Sequence, residues 1–199
     1  MILIPPSSGI VFPSNIIIEE ISPCDKENYD LTINSNQIIS GTYTSEEAEI
    51  LKISSATNPS ELPTYINLLV TKICAITIEN NYGSLDVHRD APVQLKYHLM
   101  DCYGRKFNYP LINIDYKVTV AHQEIAKVEI NPSKNTITVE GLKIGKTMLQ
   151  LEVINQQNIV RDIVPVVVNI FIEPSKAINV HVGDEISFKA ATSDAESVW

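Results

Sequence analysis

Apolar and polar residues alternate one for one along much of this chain, the period of a strand whose successive side chains face opposite sides of a sheet. Between positions 93 and 99, Val93, Leu95, Tyr97 and Leu99 fall on one face and Gln94, Lys96 and His98 on the other. Residues 112–120 repeat the alternation over nine positions. Further strands are expected at 73–78, 128–130, 136–139, 148–153 and 164–172, which makes seven, separated by turn chemistry such as Asn131-Pro132-Ser133 and Glu140-Gly141. No run here carries the i, i+3, i+4, i+7 stripe of a crossover helix, so the strands are expected to pair antiparallel in an all-β, two-sheet sandwich.

This unit runs over 72–173. Ahead of it, residues 1–71 hold weaker strand patterns at 16–18, 29–33, 37–39, 50–53 and 65–70, joined by Ser/Thr/Asn/Pro-rich segments. They are expected to form a second sandwich, irregular or incomplete. Within it, Thr44-Ser45-Glu46-Glu47 reads as a solvated acidic loop in preference to a capping box. Past Pro174, residues 174–199 show two more alternating runs, 178–182 and 186–190. Two strands cannot bury a sheet face, so the chain is expected to be a section of a longer tandem array whose third unit starts here. An internal echo supports this: residues 85–95 and 178–188 share a strand ending in Val-His, a polar turn and an alternating strand.

Composition narrows the partners. The 199 residues are 44% hydrophobic and 20% charged, a globular balance. A net charge of −9 has the wrong sign for neutralising phosphates and argues against nucleic acid. That charge is unevenly placed: residues 1–71 carry 9 acids and 2 bases, 72–173 carry 11 of each, and 174–199 carry 4 and 2. The central unit is therefore neutral, a surface that does not repel its own copies. The uncharged run 163–172 is about half the roughly 20 residues that span a bilayer. The opening Met1-Ile2-Leu3-Ile4-Pro5-Pro6 lacks the basic start of a signal peptide.

Candidate chemistry is sparse. Gly141-Leu142-Lys143-Ile144-Gly145-Lys146-Thr147 looks like a phosphate loop, but it has three residues between its glycines where four are needed, and residues 147–153 alternate as a strand where a helix would have to open. A hairpin turn is expected, with Gly141 and Gly145 at positive φ. His122-Gln123-Glu124 has the H-x-E spacing of zinc deaminases without the P-C-x-x-C that completes the site, and reads as a solvated loop. His88, His98, His122 and His181 are scattered, and none forms a metal-ligand spacing. Cys24, Cys74 and Cys102 form no C-x-x-C pair, and their odd number leaves the compartment open. Cys74, in a strand with Ile76 and Ile78, reads as a buried thiol. No N-x-[ST] glycan acceptor occurs.

Three segments carry a resemblance. Asp101-Cys102-Tyr103-Gly104-Arg105-Lys106-Phe107 resembles the D-x-x-G-R-x-F turn of bacterial-type immunoglobulin-like repeats and their eukaryotic relatives. Residues 129–153 are similar to the I-x-V-x-G-L-x-x-G-x-T-x-L ending of such repeats, and 182–188 with Val198-Trp199 look like the start of the next one. In their order, residues 16–199 resemble the lumenal repeats of the nuclear pore membrane glycoprotein 210 family. Adhesins of the invasin and intimin type carry the same repeat. The resemblance implies tandem immunoglobulin-like antiparallel β-sandwiches with a non-enzymatic, structural role in the perinuclear space, continuous with the endoplasmic reticulum lumen. It implies attachment through a membrane span outside this chain, self-association into a homo-oligomer around the pore, and other nuclear pore membrane proteins as further partners. The adhesin alternative places the same fold at the cell surface. Neither reading implies a cofactor, and no catalytic, cofactor-binding or metal-ligating residue is assigned.

Overall fold

Alternation becomes architecture once each strand's apolar face finds a second sheet. The computed structural model describes residues 1–20, 31–34, 36–41, 44, 48–58, 60–80, 83–89, 91–155, 158–169, 172–173, 181–183, 185, 187 and 189–190. Cys24, Trp199, the acidic loop 45–47 and most of 174–199 lie outside the described residues.

The first sandwich is built from β1 (Ile2–Ile4), β2 (Gly9–Val11), β3 (Ile16–Glu20), β4 (Leu31–Asn34), β5 (Gln37–Ser40), β6 (Glu49–Ser55) and β7 (Thr64–Val70). The second uses β8 (Ala75–Ile78), β9 (Leu85–His88), β10 (Val93–Met100), β11 (Leu111–Ile112), β12 (Asp115–Val120), β13 (Ala126–Asn131), β14 (Thr136–Gly141), β15 (Gly145–Asn155) and β16 (Asn158–Asn169). Beyond these, β17 (Ile172–Glu173) pairs antiparallel with β18 (Lys189–Ala190).

Four four-stranded sheets result. Their orders are β1-β7-β6-β3 and β11-β2-β5-β4, then β9-β16-β15-β12 and β8-β10-β14-β13. The two sandwiches share one topology: β1 to β7 correspond in order to β9, β10 and β12 to β16. Each is an immunoglobulin-like sandwich, with one sheet built like A-B-E-D and the other like A′-G-F-C. The chain is thus a tandem of immunoglobulin-like sandwiches.

Among the described residues every strand pair is antiparallel except two. An early strand of each unit lies parallel to the last: β1, which opens the first unit, with β7 (Ile2↔Leu68), and β9, which follows β8 in the second, with β16 (Leu85↔Val166). A wholly antiparallel sheet is the expectation from the missing crossover helices. The physical reason for the difference is that the entering chain crosses between the two sheets within the sandwich, which sets an early strand beside the last one. The crossing in the first unit is stitched by buried hydroxyls. Ser8 and Ser40 both donate to the Pro5 carbonyl at 2.6 Å, so neither buried polar group is left unpaired.

Inward positions follow the alternation. In β15 and β16, Leu149, Leu151, Val164, Val166 and Val168 are buried, while Met148 and Ile163 face out. Tyr97 on β10 is fully buried and packs its ring 5.9 Å from that of Tyr116 on β12. Burial pushes both phenols up, Tyr116 to about 12. Asp162, on β16, reaches the opposite sheet and accepts from the Ile78 N–H at 2.7 Å, satisfying a donor on edge strand β8.

One expected strand, 112–120, divides. Asn113 takes a left-handed conformation at φ 59° and separates β11 from β12. The consequence is topological: β11 pairs antiparallel with β2 of the first sandwich, Leu111 opposite Ile10 and Ile112 opposite Gly9.

Candidate functional site

The turn at 101–107 follows β10 directly, and its geometry starts from a buried charge. Asp101 has a fully buried side chain. Its Oδ1 accepts the Tyr103 and Arg105 N–H groups at 2.9 and 2.8 Å, and its Oδ2 accepts Arg105 Nε at 2.7 Å, with Arg105 Nη2 at 2.6 Å. Burial alone would raise this carboxyl, but the Arg105 guanidinium and the two backbone donors outweigh it and hold the group below its ordinary range. Gly104 stands at φ 77°, a position that suits glycine, and Phe107 closes the turn into the core at 4% exposure.

This scaffold presents Tyr103, 83% exposed, with the Arg105 guanidinium 5.1 Å from its ring centre. Beside it opens a cleft of about 610 Å³ between the two sandwiches, lined by Thr44, Leu69 and Thr71 on one side, Lys72 in the connection, and Cys102, Tyr103 and Arg105 on the other. An exposed aromatic flanked by cations and hydroxyls is suited to holding a polar partner surface or a sugar ring. Sequence reasoning took 101–107 as a repeat signature and missed it as a surface. The signal was present in the Asp-x-x-Gly-Arg spacing, which makes a pinned turn, but exposure of Tyr103 could not be read from it.

Cys74 and Cys102 form a disulfide, with Cα atoms 4.9 Å apart. The buried-thiol expectation for Cys74 is corrected: both cysteines are exposed. The physical reason is register. Met100 lies opposite Ala75, and the Cys74 N–H donates to the Met100 carbonyl, so the turn after β10 folds back beside the residue preceding β8.

The remaining candidates separate. Gly141 and Gly145 do not form a hairpin, because β14 and β15 belong to opposite sheets and the segment between them crosses over. The Leu142 and Lys143 N–H groups both donate to the Ile125 carbonyl, so they do not form a phosphate cradle. Gly145 has φ 157°, whereas Gly141 is not at positive φ; it is small because a Cβ there would meet Val168 Cγ1 at 2.7 Å and the His88 carbonyl at 3.3 Å. His122 and Glu124 are exposed and 3.4 Å apart. His98 Nε2 meets Glu79, whose carboxyl is lowered first by that hydrogen bond. Among the described residues no group of three His, Cys, Asp or Glu side chains is placed to hold a metal ion.

No protein-family model matches the chain, and no curated protein matches it. Among solved structures it is similar to domains 4 and 5 of the S-layer protein SbsC at 20% identity and a TM-score of 0.41, covering 78% of this chain and 70% of that one. It is also similar to domains 4–9 of the same surface layer protein, at 20% identity and a TM-score of 0.40, covering 80% and 24%. A titin segment, A168169, shows 14% identity and a TM-score of 0.32 over 84% of this chain and 94% of that one. These likenesses carry no argument about ligand, activity or assembly.

Proposed function

We propose that this chain is a section of a non-enzymatic scaffold of tandem immunoglobulin-like sandwiches working in an oxidising compartment. The observation that carries the reading is the solvent-exposed Cys74–Cys102 disulfide beside the connection of two sandwiches. Such bonds persist in lumenal and extracellular proteins and are rare where thiols are kept reduced. Within that class, the repeat motifs at 101–107 and 129–153 support lumenal repeats of a nuclear pore membrane glycoprotein, self-associating around the pore, anchored by a span elsewhere and meeting other pore membrane proteins. The neutral charge of 72–173 suits packing against like copies.

The Tyr103 cleft favours a second reading, an adhesin repeat whose loops take a host protein or sugar. Fluorescent tagging of the full-length protein separates the two. Rim staining at the nuclear envelope is the expected result, with concentration-dependent self-association in sedimentation. Surface staining turns the assignment to the adhesin, and a cytosolic pool removes both.

A further inference from the structure

In the second sandwich the outer edge of β10 is covered by β8, paired over Tyr97↔Ile78 to Met100↔Ala75. The equivalent edge of the first sandwich belongs to β2, and the strand lying on it is β11, which comes from the second sandwich. We propose that the β2 edge is a strand-acceptor surface whose occupant is the chain's own β11, Leu111–Ile112, carried to it by residues 107–110, so that the first sandwich is completed by the second and depends on it for stability. The proposal is independent of where the protein works.

Four observations converge on it. β11 occupies the slot that β8 fills in an otherwise matching topology. The segment is anchored at both sides of the junction: Phe107 donates its N–H to Leu99 within the second sandwich, and Tyr109 sets its ring 5.8 Å from Phe12, which follows β2. Leu111 is buried, at 6% exposure, yet its strand partner is Ile10 of the first unit, itself fully buried. Finally, the chain is shaped for the excursion. The Asp101 turn and the Cys102 disulfide fix its departure, and the left-handed Asn113 frees it from β12. Main-chain pairing supplies the attachment and the Leu111–Ile10 contact its specificity, the logic of β-strand addition carried out within one chain.

The test uses the whole chain with Leu111→Gly and Ile112→Gly together, which removes both the apolar anchor and the strand preference, alongside a conservative Ile112→Val variant. Amide hydrogen exchange is read strand by strand. The expected result is exchange at least about tenfold faster in β2 and β5 of the double variant, with β14, β15 and β16 unchanged and Ile112→Val behaving as the parent. Unchanged protection in β2 and β5 would overturn the proposal. So would equal loss in β14 to β16, or a double variant that does not fold, because either would make the segment part of the second sandwich's own core. Equal loss in Ile112→Val would overturn it too, since that variant keeps the strand.

Discussion

Asp101 is a carboxylate kept charged in a buried place, and its four polar contacts explain how. Because its folded-state pKa lies below the ordinary value, its contribution is present above about pH 4 and is lost as the pH falls through the lowered folded value. Asp101→Asn is expected to lower stability at pH 7 by roughly 2–3 kcal/mol, since Arg105 and two backbone donors lose their anion. The gap between parent and variant should narrow as acid protonates the carboxyl, below its ordinary range. Urea midpoints at pH 7 and in acid check this, and a gap that stays constant would mean the charge is not what Arg105 answers. The residues of this turn were legible in advance, as Asp-x-x-Gly-Arg-x-Phe. What was not legible is that the same turn holds Tyr103 out at the mouth of a cleft, because the cleft's other wall comes from Leu69 and Thr71, more than thirty positions away.

Strands are the level at which this sequence spoke most clearly. Val93 to Leu99 alternate in sequence and in burial; β15 and β16 alternate in burial even where apolar residues adjoin, as at Val166, Val167 and Val168. Glycines were harder, since a glycine reports either a backbone angle or a close neighbour and the sequence does not say which. Gly9 is of the second kind: a Cβ there would come within 2.4 Å of the Ile38 carbonyl oxygen on β5, a backbone atom that cannot rotate away. Gly9→Ala is therefore expected to cost about 2 kcal/mol or more. Denaturant unfolding followed by a probe in the first sandwich reads it, and an unshifted midpoint would show that β2 and β5 can separate without loss. Gly141 also has a close neighbour, with a Cβ there 2.7 Å from Val168 Cγ1 and 3.3 Å from the His88 carbonyl oxygen, and it stands where the chain crosses from one sheet to the other.

At the scale of the whole molecule, the disulfide closes a loop of 28 residues and ties the connection between sandwiches to the turn that launches β11. The chain entropy removed by such a closure corresponds to about 3.5 kcal/mol. Replacing both cysteines by serine, Cys74→Ser with Cys102→Ser, is expected to lower the unfolding temperature by roughly 7–14 °C, measured calorimetrically. No change would mean that strand pairing alone holds the turn. By itself the sequence determined that this is an all-β protein and which face of a cleanly alternating strand such as β10 is buried, because alternation is a property of neighbours two positions apart and needs no knowledge of the fold. Only the tertiary structure decided that Cys74 meets Cys102, that β1 and β9 lie parallel to the last strand of their units, and that Leu111 and Ile112 complete the sheet of another sandwich. Those outcomes depend on which of several apolar edges come together over long separations in the chain, and local pattern makes all such edges look alike.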